Sequence, residues 1–291
     1  MTTPRPALTD ILLTSLAPMI WGSTYIVTTE LLPPDRPFSA AAIRALPAGI
    51  LLVLLARRLP AKRDWGRMLL LSALNIGVFQ ALLFIAAYRL PGGLAAVVGA
   101  TQPLMVMTLA WIMAQQVPPR MALLAGLLGV AGMAALLLSP ATHWDSLGLL
   151  AAAVGAGCMA TGTYLTRRWQ PDLPLLALTG WQLLLGGLML APVAILADPP
   201  LPSLQLSQVL AYSYLSLAGA LLAYTLWFHG LTQISPVAVS SLNLLSPITA
   251  VILGWLLLGQ TITGIALLGL LLVLASVSAV QWAMAPAKAA Q

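Results

Sequence analysis

The chain is divided into ten apolar stretches, each close to the length that crosses a lipid bilayer and separated by proline, glycine or a few charged residues. A membrane-spanning helix needs about 20 apolar residues. Of the 291 residues, 60% are hydrophobic and 7% are charged, whereas soluble domains carry about 25% charged residues. So few charges cannot cover a soluble surface. The sequence therefore predicts an all-α integral membrane protein with ten transmembrane helices.

The predicted spans run from one apolar stretch to the next with short connections. They are Thr9 to Thr29, Phe38 to Ala56, Trp65 to Tyr88, Gly92 to Gln115, Met121 to Leu138, Leu147 to Thr166, Pro174 to Leu196, Leu206 to His229, Ser235 to Leu258 and Ile262 to Trp282. The first stretch is too long for a removed signal peptide and lacks a small-residue cleavage site, so we expect it to be retained as the first helix.

The distribution of Lys and Arg predicts the orientation. With the N-terminus in the cytoplasm, ten of the 13 basic residues fall on the inner side, Arg36 and Arg89 fall outside, and Arg44 lies within a span. Membrane proteins retain positive charge on the cytoplasmic side. We therefore expect both termini in the cytoplasm. The net charge of +6 reflects this topology and does not indicate a nucleic-acid partner.

The second half of the sequence repeats the first. A shift of 144 residues aligns four pairs of uncommon residues: Phe84 with Phe228, Pro103 with Pro247, Trp111 with Trp255 and Gln116 with Gln260. Such matches carry more weight than matches of Leu or Ala. We predict two five-helix repeats, 1–140 and 141–291, that form one transport unit. Because five is odd, the second repeat enters the membrane inverted, an arrangement typical of secondary transporters.

The block around each proline is a recognisable motif. It reads Pro103-Leu-Met-Val-Met-Thr-Leu-Ala-Trp111 in the first half and Pro247-Ile-Thr-Ala-Val-Ile-Leu-Gly-Trp255 in the second, with Trp21-Gly-Ser-Thr24 in the first span. These segments resemble the EamA repeat of the drug/metabolite transporter superfamily over nearly the whole chain. That family commonly closes the block with a glutamate, where this sequence has Gln116 and Gln260.

Within the superfamily, the chain is most similar to the YddG-like bacterial exporters of amino acids and related metabolites. The resemblance implies a secondary transporter that exports neutral amino acids, aromatic ones included, and related small metabolites across the bacterial inner membrane by alternating access. A carrier of drugs, organic cations or other metabolites is the alternative. A channel, a membrane scaffold and an intramembrane enzyme are more distant alternatives.

Polar residues inside the predicted spans are the candidates for substrate binding, because a polar side chain in hydrocarbon is costly unless it faces the protein interior or water. Ser240, Asn243 and Ser246 recur every three residues and therefore lie along one helical face. Pro247 follows them, removes a backbone donor and leaves acceptors one turn earlier. The competing interpretation is a hydrogen-bonded seam between membrane helices.

The first half offers equivalent positions. Thr101 and Gln102 precede Pro103, so we expect the two broken helices to face one another near the membrane midplane, with Pro103 and Pro247 as hinges. The rest of the predicted substrate site comprises Asn75, Gln80 and Tyr224, deep in the third and eighth spans, and the aromatic residues Trp21, Tyr25 and Trp181. Packing against neighbouring helices is the competing interpretation for the tryptophans.

Charged and metal-binding groups are scarce in the predicted spans. All seven acids map to span ends or loops, and no two of them lie within four residues of one another. Cys158 is the single cysteine, and His143 and His229 fall near opposite membrane faces. We therefore expect no catalytic residues, no metal site and no cofactor. The expected partners are a small-molecule substrate and the lipid bilayer.

Two features of the spans leave alternatives open. Arg44 lies about six residues from the outer end of its span, so it either attracts a carboxylate or extends outward to water, and the short distance favours the second. Gly126, Gly129 and Gly132 predict close approach of the fifth helix to another helix. We expect packing within a monomer, with a homodimer face as the alternative.

Overall fold

The computed structural model describes residues 8–89, 92–137, 145–259 and 264–285. Each secondary-structure element in these residues is helical. Ten helical stretches are long and apolar enough to cross a membrane. The predicted all-α fold with ten transmembrane helices is therefore confirmed.

The ten spans are numbered α1 to α10 in chain order. The first half contains α1 (Leu8–Leu31), α2 (Pro37–Ala56), α3 (Trp65–Ser72, Ala73–Gly77 and Val78–Arg89), α4 (Gly92–Gly99 and Gln102–Ala114) and α5 (Arg120–Leu137). The second half contains α6 (Ser146–Trp169), α7 (Leu175–Ala197), α8 (Leu206–Ser216, Leu217–Leu222 and Ala223–Gln233), α9 (Pro236–Leu242 and Leu245–Leu258) and α10 (Gly264–Ala283). Each predicted span overlaps one of these ten.

The fourth helix of each half is broken just before its proline. In α9 the break is at Asn243 and Leu244, where the backbone N–H groups bond carbonyls three residues earlier, Asn243 to Ser240 at 3.2 Å. A proline cannot donate a backbone hydrogen bond and displaces the carbonyl one turn before it. Pro247 therefore accounts for the break in α9, and Pro103 accounts in the same way for the break at residues 100–101 in α4.

The third helix of each half contains a π turn. In α3 it spans Ala73–Gly77, and in α8 it spans Leu217–Leu222. The two π turns begin 144 residues apart, in the same register as the repeated prolines. A π turn widens the helix by one residue and is frequent at functional sites. Nothing in the local sequence predicts a π turn at either place. Because the turn recurs at the same position of both halves, it supports the repeat independently of the sequence matches.

The helices pack in pairs that map onto each other when the two halves are exchanged. α3 packs against α6 as α8 packs against α1, and α4 packs against α6 as α9 packs against α1. The pairs α2 with α7 and α5 with α10 map onto themselves. A two-fold axis relating the halves requires this pattern. Because each half has five helices, the second half runs inverted with respect to the first.

Glycines permit the closest of these contacts. A Cβ atom at Gly180 of α7 would lie 2.8 Å from Cβ of Leu52 on α2, and one at Gly132 of α5 would lie 2.8 Å from Cβ of Leu272 on α10. Gly126 of α5 packs in the same way against α4. Small residues allow membrane helices to approach closely. The predicted close approach of the fifth helix is therefore made inside the molecule.

The end of the bundle that carries the α4–α5 and α8–α9 connections is called the inner end, since the cation distribution predicts that it faces the cytoplasm. Here Arg167 and Arg168, in the last turn of α6, donate from Nη1 to the Leu231 carbonyl of α8 at 3.0 Å and the Met113 carbonyl of α4 at 2.8 Å. The last carbonyls of a helix lack partners within the helix. The two arginines thus join three helix ends.

Candidate functional site

The two broken helices contact each other inside the bundle. Asn243, at the break of α9, donates from Nδ2 to Oε1 of Gln102, the first residue of the second segment of α4, at 3.0 Å. Gln102 is 2% exposed. The prediction that the broken helices face one another is confirmed by this contact. A role for either residue in substrate binding stays a prediction.

Gln80 of α3 and Tyr224 of α8 form a second contact between the halves. Gln80 Nε2 donates to the Tyr224 hydroxyl at 3.1 Å across a sequence separation of 144 residues. Both residues are buried, and each lies shortly after the π turn of its helix. Residues that are equivalent under a two-fold axis touch only where they lie close to it. The pair therefore marks the axis that relates the two repeats.

The Gly219 carbonyl, inside the π turn of α8, accepts hydrogen bonds from two side chains of the other half. Trp21 of α1 donates from Nε1 at 3.0 Å, and Arg44 of α2 donates from Nη2 at 2.8 Å. Arg44 is 7% exposed, so it points into the bundle. The interpretation that the sequence position favours, extension outward to water, is therefore wrong. We call Trp21, Arg44 and Gly219 the Gly219 junction.

An aromatic group lies beside this junction. The Trp21 ring centroid is 4.9 Å from that of Tyr224 and 5.3 Å from that of Trp227, and the Tyr224 and Phe228 centroids are 6.0 Å apart. Tyr224, Trp227 and Phe228 are among the largest fully buried side chains. Tilted aromatic pairs at these distances are favourable beyond the area they bury. The group thus provides a rigid apolar wall at the centre of the molecule.

Several buried polar atoms around the junction have no hydrogen-bond partner in the described part of the chain. They include Oε1 of Gln80, Oγ of Ser216, Oγ1 of Thr24 and Nε1 of Trp227. Buried polar groups in native proteins are almost always bonded to protein or to ordered water. Water or a polar ligand would satisfy these atoms, so the region between α1, α2, α3 and α8 is the candidate site.

Asn75 lies in the π turn of α3, at a separate helix seam. Its Nδ2 donates to Oε1 of Gln182 on α7 at 2.7 Å and to Oγ1 of Thr166 on α6 at 3.2 Å. The side chain is fully buried. It occupies the position that corresponds to Gly219 in the 144-residue register. The structure thus places Asn75 among helix partners, away from the Gly219 junction.

The hydroxyl residues of the broken helices bond their own backbone. Ser240 donates from Oγ to the Val237 carbonyl at 2.8 Å, and Thr101 donates from Oγ1 to the Val98 carbonyl at 2.6 Å. Ser246 lies in the first turn of the second segment of α9 and is buried. Through the break the backbone bonds run three residues back, Asn243 to Ser240 at 3.2 Å and Ser246 to Asn243 at 3.1 Å, and this geometry keeps residues three apart on one face. The shared face of Ser240, Asn243 and Ser246 is therefore retained, and a role in substrate binding stays a prediction.

Trp181 lies apart from the other predicted aromatic residues. Its Nε1 donates to the Arg58 carbonyl at 2.9 Å, and its ring meets Trp65 edge to face with centroids 5.1 Å apart. Arg58 belongs to the α2–α3 connection at the inner end, so Trp181 holds this connection to α7. Tyr25, the remaining predicted residue, has a side chain outside the described part of the structure.

A cavity of about 1240 Å³ opens at the inner end between α4, α6, α9 and α10. Its lining reaches Val106 on α4 and Ala238 on α9, about one helical turn short of Gln102 and Asn243. Among the described residues, its lining includes Arg167 and Arg168 but no acid and none of the predicted substrate-site residues. The cavity and the predicted polar residues thus occupy different levels of the bundle.

Sequence reasoning missed Gly219, Ser216 and Thr24. Gly219 acts through a backbone carbonyl, which leaves no side-chain signal in the sequence. The one available signal is its alignment with Asn75, a buried polar residue, in the 144-residue register. No group of three or more His, Cys, Asp or Glu side chains that could hold a metal ion occurs in the described residues.

Comparison with known sequences identifies the family. The sequence model of the EamA-like transporter family matches the chain twice, over residues 8–138 and 146–281. The chain belongs to this family. The predicted EamA repeat of the drug/metabolite transporter superfamily is therefore confirmed, and the family assigns the chain to membrane transporters.

Individual relatives cover most of the chain. Protein PecM of Dickeya dadantii (strain 3937) is 43% identical over 267 residues, which is 91% of this chain and 90% of PecM. The uncharacterized inner membrane transporter YedA of Escherichia coli (strain K12) is 30% identical over 260 residues, covering 87% of this chain and 84% of YedA. A crystal structure with 19% sequence identity has a TM-score of 0.79 over 93% of this chain and 96% of that chain, so the two share a fold.

Proposed function

We propose that this chain is a secondary transporter that exports neutral amino acids, aromatic ones included, and related small metabolites by alternating access. The observation that carries the proposal is the position of the cavity, which opens at the inner end and ends about one turn from the contact between Gln102 and Asn243. The Gly219 junction is not part of this cavity, because none of its residues lines the cavity and Gly219 and Arg44 are buried. A carrier has a site that is open to one side at a time.

The two-fold relation between the halves supplies the opposite state. Exchange of conformation between the repeats replaces α4, α6, α9 and α10 around the cavity by their equivalents α9, α1, α4 and α5. The cavity would then open at the other end of the bundle. At the breaks before Pro103 and Pro247 the backbone hydrogen bond of the helix is already missing. Each half therefore has a point where a helix can bend at little further cost in hydrogen bonds.

The charges favour a neutral substrate over an organic cation. The described cavity lining has two arginines and no acid, and Arg44 is buried beyond it. In the described cavity lining, a permanent cation would meet these two arginines and no carboxylate. A zwitterion carries both signs and can use the arginines as well as the neutral amides. Family resemblance supplies the amino-acid class, and the charges support it against the drug and organic-cation alternative.

We propose that repeats 1–140 and 141–291 act as one transport unit in the bacterial inner membrane, with both termini in the cytoplasm. The glycines of α5 support a monomer, because Gly129 and Gly132 are already packed against α10 within the molecule. We expect the small-molecule substrate and the bilayer to be the partners, with no cofactor and no nucleic acid.

Reconstitution of the full-length protein in liposomes tests the function. Vesicles loaded with an unlabelled neutral amino acid should accumulate the same labelled amino acid by counterflow, with saturation. A panel of leucine, phenylalanine and tryptophan, with a quaternary organic cation and a sugar nucleotide beside them, separates the alternatives. Protein-free vesicles measure leakage. Transport of the cation or the sugar nucleotide without any neutral amino acid would overturn the proposal.

A further inference from the structure

We propose that the Gly219 junction recognises the α-carboxylate and α-ammonium groups of the transported amino acid, and that Arg44 binds the carboxylate. This inference rests on the proposed function and names the groups by which the transporter recognises its substrate. In this structure, Arg44 and Trp21 donate to the Gly219 carbonyl. In the bound state, both donate to the carboxylate. The step exchanges one hydrogen-bond acceptor for another and changes no covalent bond.

The two-fold axis shows what fills the equivalent position in the first half. Gly219 corresponds to Asn75 in the 144-residue register, and both lie in π turns. The Asn75 carboxamide bonds Gln182 at 2.7 Å and Thr166 at 3.2 Å. These partners lie on α7 and α6, the equivalents of α2 and α1, which carry the two donors of the Gly219 junction. Asn75 donates from Nδ2 to both partners, whereas the side chains from α1 and α2 in the second half are donors. The position where the second half has a glycine therefore suits a planar acceptor, and a carboxylate has the planar shape of the carboxamide and accepts.

The Arg44 guanidinium lies directly over that glycine. A Cβ atom at Gly219 would be 3.6 Å from Nε and 3.8 Å from Nη2 of Arg44, which is ordinary contact distance. A ligand held at the position equivalent to the Asn75 side chain would therefore touch the guanidinium. The region is closed in this structure, so for export the ligand reaches it from the inner cavity, after the contact between Gln102 and Asn243 separates.

Charge favours the exchange of acceptor. Within the ten described spans, Arg44 is the one Lys or Arg that lies away from a helix end. Hydrogen bonds between an arginine and a carboxylate are roughly twice as strong as neutral ones and are often bidentate. The Gly219 carbonyl is a neutral acceptor that receives a single bond from Arg44 Nη2. A substrate carboxylate therefore competes effectively with it.

Acceptors for an ammonium group lie around the same junction. Oγ of Ser216, Oγ1 of Thr24 and Oε1 of Gln80 have no hydrogen-bond partner in the described part of the chain. Thr24 follows Trp21 by three residues on α1 and therefore lies on the same face of that helix. Ser216 directly precedes the π turn of α8 that contains Gly219. An ammonium group has three donors and no acceptor. The site therefore suits a molecule that carries both groups, an α-amino acid.

Competition in the liposome assay tests this recognition on the parental protein. Labelled L-phenylalanine is the transported probe. The competitors are L-phenylalanine, phenethylamine, which lacks the carboxylate, and 3-phenylpropanoate, which lacks the ammonium group. Each missing group removes charged hydrogen bonds, so we expect each analogue to inhibit at least about tenfold more weakly than the amino acid. Equal inhibition by phenethylamine and phenylalanine would overturn the role of the carboxylate.

Substitutions then assign the carboxylate to Arg44. We expect Arg44→Gln to raise the half-saturating phenylalanine concentration by about tenfold or more and to abolish the discrimination against phenethylamine, while Arg44→Lys restores part of it. Trp21→Phe keeps an aromatic ring but removes the Nε1–H donor, and it should raise the half-saturating phenylalanine concentration by about fivefold. Arg89→Gln, which removes an exposed arginine at the outer end of α3, is the matched control and should leave both quantities unchanged.

The outcomes separate this inference from the proposed function. If the parental protein moves no neutral amino acid, the proposed function fails and the inference fails with it. If the parent transports phenylalanine, and folded Arg44→Gln protein keeps the parental half-saturation and discrimination, the inference alone is wrong. Should Arg44→Gln fail to fold, Trp21→Phe and the analogue competition on the parental protein decide: parental half-saturation in Trp21→Phe together with equal inhibition by phenethylamine refutes the inference.

Discussion

At the residue scale, the centre of the molecule is organised by neutral polar groups and one guanidinium. The Gly219 carbonyl accepts from Trp21 and Arg44, and Gln80 meets Tyr224 on the two-fold axis. These contacts join the first half to the second half, so they must rearrange whenever the halves move relative to each other. Hydrogen bonds suit this role because a neutral pair contributes only about 1 kcal/mol net, and a bond to a charged group such as Arg44 about 1.5 to 3 kcal/mol, so each can be exchanged for another.

The pair of Gln80 and Tyr224 leads to a stability prediction. Tyr224→Phe removes the hydroxyl and leaves a buried amide donor without its acceptor, so we expect the free energy of unfolding to fall by about 1 to 3 kcal/mol. Gln80→Leu combined with Tyr224→Phe should cost less than the sum of the single changes, by a coupling of about 0.6 to 1.7 kcal/mol. Reversible unfolding in mixed micelles measures all four proteins. Strictly additive losses would contradict the contact.

Side-chain chemistry explains which residues were predictable. Gln80, Gln102, Tyr224 and Asn243 carry polar groups inside apolar helices, which marks them in the sequence, and the structure joins them in two pairs across the halves. Trp181 also carries a polar group inside an apolar helix, but its Nε1 bonds the Arg58 carbonyl in the α2–α3 connection. The position of a residue along a helix does not specify the direction of its side chain, so this contact could not be predicted.

At the element scale, the four interrupted helices divide into two kinds. The breaks in α4 and α9 follow from Pro103 and Pro247, because proline prevents the hydrogen bond that would continue the helix, so they could be predicted. The π turns in α3 and α8 arise from packing: α2 approaches the turn in α8 as α7 approaches the turn in α3. Tertiary contacts of this kind leave no periodicity in the sequence.

The break in α9 predicts a defect in rate and not in binding. Pro247→Ala restores a backbone N–H that can bond the Asn243 carbonyl, which favours one continuous helix over the bent one. We expect the maximal transport rate to fall about tenfold, equivalent to about 1.4 kcal/mol on the barrier. The half-saturating concentration should stay within about twofold. Counterflow over a range of substrate concentrations measures both quantities.

The control for this prediction is another proline inside a span. Pro192 lies within the continuous helix α7, so Pro192→Ala changes the same residue type without changing a break. We expect its maximal rate to stay within about twofold of the parental value. Pro103→Ala, the equivalent of Pro247→Ala in the first half, should slow transport in the same way. A similar loss in Pro192→Ala would show that the breaks have no special role.

At the scale of the whole molecule, ten helices form two inverted halves around one axis, and the cavity lies on one side of their central contact. The distribution of basic residues, ten against two, predicts the orientation of this bundle in the membrane. Single cysteines in a Cys158→Ala background should therefore react with an impermeant maleimide from the cytoplasmic side at Lys62→Cys and from the outer side at Thr142→Cys. Labelling of Lys62→Cys from outside intact cells would reverse the assignment.

Alternating access makes a reciprocal prediction for the two sides of the central contact. Ala110 lines the cavity at the inner end, whereas Ser216 is 5% exposed beside the Gly219 junction. In the Cys158→Ala background, Ala110→Cys should react with an impermeant reagent added to inside-out vesicles, which expose the cytoplasmic face, and Ser216→Cys should be protected in right-side-out vesicles. Trp21→Ala removes the bond to the Gly219 carbonyl and the ring contacts with Tyr224 and Trp227, which in the proposed mechanism close the outer side. A loss of about 1 to 3 kcal/mol from the closed side shifts the ratio of the two states by about 5- to 150-fold. Ser216→Cys should therefore react faster from outside when Trp21→Ala is added, and Ala110→Cys should react more slowly from inside. In a channel, one open pore would expose both positions at once, so parallel changes in the two rates would refute alternating access.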